Sequence, residues 1–188
     1  MNTNEPTPLL FILVGHAGSG KSSFARQLAE KRNLVRLNGD SFRTALFESV
    51  DAIKEADPKL KLEGVFKAID YVAKQVLVTG QSVIYDANNN KGIVRENLER
   101  MAKEVGALPI VIWIKAPKEE AIQRVQAREA TVDQRQLDEN HAREVVERHI
   151  ADFDEPSSEE KVIEIDGTVP WETQFTAFNE QLKKYIDD

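Results

Sequence analysis

The apolar run Leu9 to Val14 leads directly into Gly15-His16-Ala17-Gly18-Ser19-Gly20-Lys21-Ser22, that is, Gly, four residues, then Gly-Lys-Ser. No other stretch restricts the fold as much, because this pattern works where a β-strand turns sharply into an α-helix. Its glycines permit backbone angles closed to other residues, so successive N–H groups converge on one concavity that a phosphate fills. The spacing predicts a P-loop between a strand and a helix. Lys21 supplies a mobile positive charge, and Ser22 places a hydroxyl where a phosphate-bound Mg²⁺ needs a ligand. The helix start, with Ser23 in its first turn, offers its positive dipole end to the anion. His16, Ala17 and Ser19 belong to the nucleotide-contacting loop, and His16 has no separate role. A glycine-rich turn that matched by accident would not account for the flanking strand and helix.

Composition excludes function classes rather than naming one. At 188 residues and 41% hydrophobic, the chain is expected to form one domain over 1–188 with a substantial core. A formal net charge of -7 removes any general attraction to nucleic acid or anionic membrane, so a long nucleic acid is a disfavoured partner. With no cysteine there is neither a disulfide framework nor a thiolate metal site, and a cytoplasmic setting is expected. Met1 to Pro8 is polar without a basic start, and the longest apolar run is too short to span a bilayer, so no membrane contact is expected. Oligomeric state is not legible.

Buried-looking strands alternate with amphipathic helices along the chain, the pattern of a parallel sheet covered on both faces. Strands are expected at Leu9 to Val14, Leu34 to Leu37, Ser82 to Tyr85, Ile110 to Ile114 and Val162 to Ile165. The helix from about Gly20 to Lys31 turns Phe24 and Leu28 inward, and one near Ser41 to Val50 stops before the Asp57-Pro58 breaker. Leu62, Val65, Phe66, Ile69, Val72, Ala73 and Val76 form the stripe of a long helix ended by Gly80. Val94, Leu98, Met101 and Val105 mark another, ended by Gly106. Pro117 opens a helix carrying Ala121, Ile122 and Val125, and a polar stretch from Glu129 to Asn140 precedes a helix running to about Asp152. Asp154 to Glu160 reads as a loop, and Trp171, Phe175, Phe178 and Leu182 give a closing helix its apolar face.

Ligands of open parallel sheets bind beyond the carboxyl ends of the strands. Strand one ends in the P-loop, strand two in Asn38-Gly39-Asp40, strand three in Asp86-Ala87-Asn88 and strand five in Asp166-Gly167-Thr168. Asp is also a common helix cap and turn former. For Asp40 a capping role, taken by Asp40 itself or by Ser41, competes with chemistry. Asp86, ending an apolar strand beside a P-loop, is the expected direct or indirect partner of Mg²⁺. For Asp166 a turn is the better reading.

These segments, Gly15 to Ser22, Leu37-Asn38-Gly39-Asp40-Ser41-Phe42-Arg43 and Val83-Ile84-Tyr85-Asp86-Ala87-Asn88, together resemble the P-loop kinases related to polynucleotide kinase. Arg124 and Arg128, four apart, resemble that family's lid arginines, with Arg135 a weaker third. Phe153-Asp154-Glu155-Pro156 resembles its acidic-proline segment. The resemblance covers nearly the whole chain. It implies a three-layer α/β P-loop NTPase fold with a five-stranded parallel sheet flanked by helices, using ATP and Mg²⁺. It implies that Asp40 accepts the proton of the attacking hydroxyl and that Arg43 holds the acceptor, with Asn88 assigned to the same substrate. No phosphatase segment is present, so the two-activity repair enzyme is not implied. Zeta-type toxins and small-metabolite kinases share this framework.

Phosphoryl transfer needs charge neutralisation and in-line positioning, and each need has a candidate. Lys21 and the loop amides meet the phosphates, while Arg124 and Arg128 share a helical face and could close over developing charge, with 129–140 as the lid. The alternative for that pair is a solvated face beside Glu120 and Glu129. His141 and His149 read as surface residues, because neither has a second ligand at metal spacing. A regulatory GTPase would carry Asn-Lys-x-Asp, but Asn90-Lys91-Gly92-Ile93 has Ile in the last place. A motor ATPase would place Glu after the strand-end Asp, where this chain has Ala87. A kinase acting on a nucleoside, an oligonucleotide 5′-hydroxyl or a small metabolite is the favoured reading. An ATP-binding or ATP-hydrolysing module is the alternative, and the acceptor stays open.

Overall fold

In the computed structural model, residues 6–47, 55–127 and 138–186 are described. Five strands, β1 (Leu9–Val14), β2 (Val35–Asn38), β3 (Val83–Asp86), β4 (Leu108–Lys115) and β5 (Val162–Asp166), form one parallel sheet in the order β2-β3-β1-β4-β5. The helices among the described residues are α1 (Lys21–Arg32), α2 (Gly39–Phe47), α3 (Val65–Val78), α4 (Gly92–Glu104), α5 (Lys118–Gln126), α6 (Glu139–Ala151) and α7 (Trp171–Ile186). Of these described helices, none is long and apolar enough to cross a membrane.

The continuous apolar character of β1 follows from burial on both faces. Leu10, Ile12 and Val14 join Val65, Ile69, Ala73 and Leu77 of α3 and Leu98 and Ala102 of α4 in one layer. Phe11 and Leu13, alternating with them, pack in the other layer with Phe24 and Leu28 of α1 and Phe178 and Leu182 of α7. There the Phe11 and Phe178 rings meet edge to face at 5.5 Å. The expected three-layer α/β fold with a five-stranded parallel sheet is thus the fold observed. A smaller cluster joins Ala121, Ile122 and Val125 of α5 to Ala142 and Val146 of α6, with Ala17 of the P-loop against it. From the adjacent carboxyl ends of β1 and β3 the chain leaves in opposite directions across the sheet, to β2 and to β4, and a crevice opens there.

Departures from the sequence expectations are local. Helix α2 begins at Gly39 rather than near Ser41, because Asn38 is its cap: Asn38 Oδ1 accepts from the Ser41 N–H at 2.9 Å and the Ser41 hydroxyl at 3.0 Å. The long helix before Gly80 starts as a π-helical turn, Leu60–Gly64, and becomes α-helical at Val65. Helix α6 begins at Glu139 with Asp138 as its cap, accepting from the His141 N–H, so 138–140 of the expected polar stretch form a helix start. The end of the second helix at 48–50 lies outside the described residues.

Tyr85 ties α3 to β3 by donating its hydroxyl to Asp70 Oδ1 at 2.6 Å. Burial raises the Asp70 pKa above its ordinary value, although the Tyr85 hydrogen bond works to lower it. Tyr85→Phe is expected to lower stability by about 1.5 kcal/mol at pH 7, the low end for a bond to a charged acceptor, since Asp70 is partly solvated. The sign with pH follows from the raised pKa: an ionised Asp70 destabilises the fold, and the loss of Tyr85 raises the pKa further. Denaturant melts should therefore show a smaller difference between variant and wild type under acid conditions that protonate Asp70.

Candidate active site

The P-loop leaves β1 through three glycines in the left-handed half of conformational space, Gly15 (φ 139°), Gly18 (φ 78°) and Gly20 (φ 105°). Space forbids a side chain at two of them: a Cβ would lie 2.5 Å from the Ile114 carbonyl oxygen at Gly15 and 2.3 Å from that of Ala121 at Gly18. Lys21 Nζ donates to the Gly15 and His16 carbonyls at 2.5 and 2.9 Å, which holds the ammonium over the loop. The loop is clamped from β3's side by Asn90, whose Oδ1 accepts from the Gly15 N–H at 3.0 Å and whose Nδ2 donates to the Gly15 carbonyl at 3.1 Å. His16 braces the other side, with Nδ1 2.9 Å from the Ala17 carbonyl oxygen and Nε2 3.0 Å from that of Ala116. Ser19 is fully buried, and its hydroxyl has no hydrogen-bond partner among the described residues.

A cleft of about 1170 Å³ opens beyond the carboxyl ends of β1, β2 and β3. It brings together the predicted residues Ala17, Gly18, Gly20, Lys21, Ser22, Ser23, Asp40, Arg43, Asp86, Asn88 and Arg124. With Asn38 capping α2, the Asp40 carboxylate sits in the first turn, half exposed, and accepts from Arg43 Nη1 at 2.7 Å. Asp86 is buried. Its Oδ2 accepts from Arg36 Nε at 2.8 Å, from Arg36 Nη2 and from Asn38 Nδ2 at 2.9 Å. The parallel register sets this up by pairing Asn38 with Asp86, so that Arg36, two residues earlier, points from the same face of β2. Arg124 Nη1 reaches the Gly18 carbonyl at 3.4 Å while its Nη2 pairs with Glu120, so it serves both the cleft and its own helix face. Asp166 makes a turn, accepting from the Thr168 N–H at 2.8 Å and hydroxyl at 2.6 Å.

Several positions in and around the cleft escape a reading of the sequence. Arg26 and Arg36 line the cleft, so five Lys and Arg side chains face two carboxylates there although the chain as a whole is acidic. Arg95, 2% exposed, donates to the carbonyls of Asn89 (3.3 Å) and Asn90 (3.1 Å), and to Glu160 Oε1 at 2.6 Å. It thereby joins the P-loop clamp to the 154–160 loop. Asp154 of the acidic-proline segment accepts from the Gly92 N–H at 3.1 Å at the start of α4, and that N–H, with help from Lys91, keeps its carboxyl below the usual range. The Asn88-Asn89-Asn90 run after Asp86 was the available signal for this network. The surface reading holds for His141, which is exposed and bonded to Asp138, but His149 lines the cleft. That difference arises because α6 packs on α5 beside Ala17, which carries His149 toward the P-loop. Arg128, Arg135 and residues 129–137 of the expected lid lie outside the described residues.

Residues 10–156 match the AAA domain family. The chain is 30% identical over 146 residues to the cytidylate kinase of Methanocella arvoryzae, covering 74% of each chain. Its fold is also that of a putative kinase from Chloroflexus aurantiacus (TM-score 0.72, 20% identity, 95% of this chain and 98% of that one). It likewise resembles Chaetomium thermophilum Kti12 in complex with ADP-AlF3 (TM-score 0.67, 21% identity, 94% and 98% of the two chains). The strand order, the glycine-built loop with Lys21 and Ser22, and these matches give one conclusion: the chain belongs to the AAA domain family and is a P-loop kinase related to polynucleotide kinase.

Proposed function

We propose that the protein transfers the γ-phosphate of ATP to a hydroxyl acceptor, a nucleoside, an oligonucleotide 5′-hydroxyl or a small metabolite, through the kinase domain described above and in the cytoplasm. One observation carries the reading: Asp40 lies in the cleft with the P-loop, relieved of capping by Asn38 and fixed by Arg43. A carboxylate that merely began a helix would have no need of that arrangement. In the proposed step the acceptor oxygen attacks the γ-phosphorus, the bond from that phosphorus to the bridging oxygen breaks, the hydroxyl proton goes to Asp40, and ADP leaves. Arg43 orients Asp40 and the acceptor, with Asn88 beside them. Lys21 and the loop amides hold the phosphates, and Arg124 and Arg128 cover them.

The residues present fit Mg²⁺ and a triphosphate. The loop is a cradle that a Cβ at Gly15 or Gly18 would disrupt, and Ser22 and Asp86 offer the hard oxygen donors this cation prefers. When bound, Mg²⁺ neutralises charge on the β- and γ-phosphate oxygens. Ser22 and Asp86 would hold it, with Asp86 steadied by Arg36 and Asn38.

Lys21→Ala removes a charge-assisted phosphate contact of about 1.5 to 3 kcal/mol, so Mg·ATP affinity or turnover is expected to drop roughly tenfold to more than a hundredfold. Calorimetry on the variant, beside a screen of ATP consumption against a panel of hydroxyl acceptors, tests the reading. Undiminished binding and activity in Lys21→Ala would overturn it.

A further inference from the structure

The cleft contains a basic side chain that the proposed reaction leaves unused. His149, on α6, is half-buried and lines the cleft together with Lys21 and Ser22, and its ring has no hydrogen-bond partner among the described residues. Unlike His16, whose ring nitrogens both meet backbone carbonyls, it lines the cleft with spare bonding capacity. The charged and titratable groups around it are Lys21 and His16 from the P-loop, Arg124 of α5 in the same cleft, and Arg148 and Asp152 on its own helix. Positive groups dominate. Burial first, then the nearby Lys21 charge, keep the imidazole below its usual pKa. Phosphates in the loop would reverse the sign of that surrounding.

We propose that His149 is a phosphate-responsive nucleotide ligand: neutral above the empty P-loop, it takes a proton from solvent when phosphates enter and then donates to a phosphate oxygen from α6. The inference rests on the P-loop binding nucleotide phosphates, and it adds a proton-linked contact from the helix that follows residues 128–137. Nucleotide affinity is then coupled to pH through one side chain, and α6 is tied to the occupied loop.

The chain has three histidines, so imidazole NMR titrations resolve the question, with His149→Gln assigning the signal. With Mg·ADP as the probe, the His149 midpoint is expected to move upward on saturation, while His141, exposed and bonded to Asp138, stays where it was. By calorimetry, His149→Gln should weaken Mg·ADP about tenfold at pH 6 and little at pH 8, the scale of one charge-assisted hydrogen bond. His149→Arg should keep the affinity and lose its pH dependence. A His149 midpoint that stays put in protein shown by calorimetry to be saturated overturns this proposal and leaves the P-loop reading intact. Absence of Mg·ADP binding by the wild type overturns both.

Discussion

Asp40→Asn is expected to lose turnover by about 10² to 10⁴ while ATP affinity barely changes, because general-base assistance is worth that much and the amide cannot take the hydroxyl proton. The structure sharpens this test. Had Asp40 capped α2, Asn would have substituted well and both stability and rate would have survived. Asn38 performs the capping instead, so the substitution leaves the helix start untouched. Arg43 loses an ion-pair partner 2.7 Å away that is half exposed and contributes little to stability. Steady-state kinetics with a productive acceptor, paired with an ATP titration of the same variant, checks both halves. Full activity would end the assignment of Asp40 as base.

The second large effect concerns stability. Glu160→Gln leaves the Arg95 guanidinium, 2% exposed, with the carbonyls of Asn89, Asn90 and Glu155 but without its carboxylate. Breaking one side of a buried ion pair costs about 3 kcal/mol at the low end of the observed range. For a chain of this size that lowers Tm by roughly 6 to 12 °C. Burial pushes the Glu160 carboxyl up, but the bonds from Arg95 and Ser157 outweigh it and hold the group below its ordinary value of 4.5. A lowered pKa means that the stabilisation is complete above 4.5 and fades as pH falls below it. The gap between wild type and variant should therefore narrow in acid, as thermal melts across that range would record. Replacing Arg95 and Glu160 together by Met and Leu should recover part of the loss.

Local chemistry made much of the fold legible in the sequence. β1 was readable to the residue because its ends are marked by Pro8 and Gly15 and because burial on both faces makes it uniformly apolar. The P-loop was readable because its glycines answer to backbone angles and close approaches within a few residues. The start of α2 was misplaced because Asn38 closes a strand and caps a helix at once, a double use that local preference assigns to Asp40 or Ser41. Cleft residues such as Arg36 and Asn90 depend on which strand lies beside which, an order that no single segment encodes. His149 is the clearest case. Its charged neighbours in sequence suggest a solvated face, and its site is decided by the packing of α6 on α5.

The most direct test of the account follows the phosphorus. ATP labelled at the γ-phosphate is incubated with the protein, Mg²⁺ and a panel of hydroxyl acceptors, and the label is traced by mass spectrometry. The account predicts that for a productive acceptor the label moves to the acceptor oxygen with one ADP formed per phosphorylated product, and that Asp40→Asn abolishes most of this transfer. Label recovered solely as inorganic phosphate, at a rate indifferent to every acceptor and unchanged in Asp40→Asn, would contradict it.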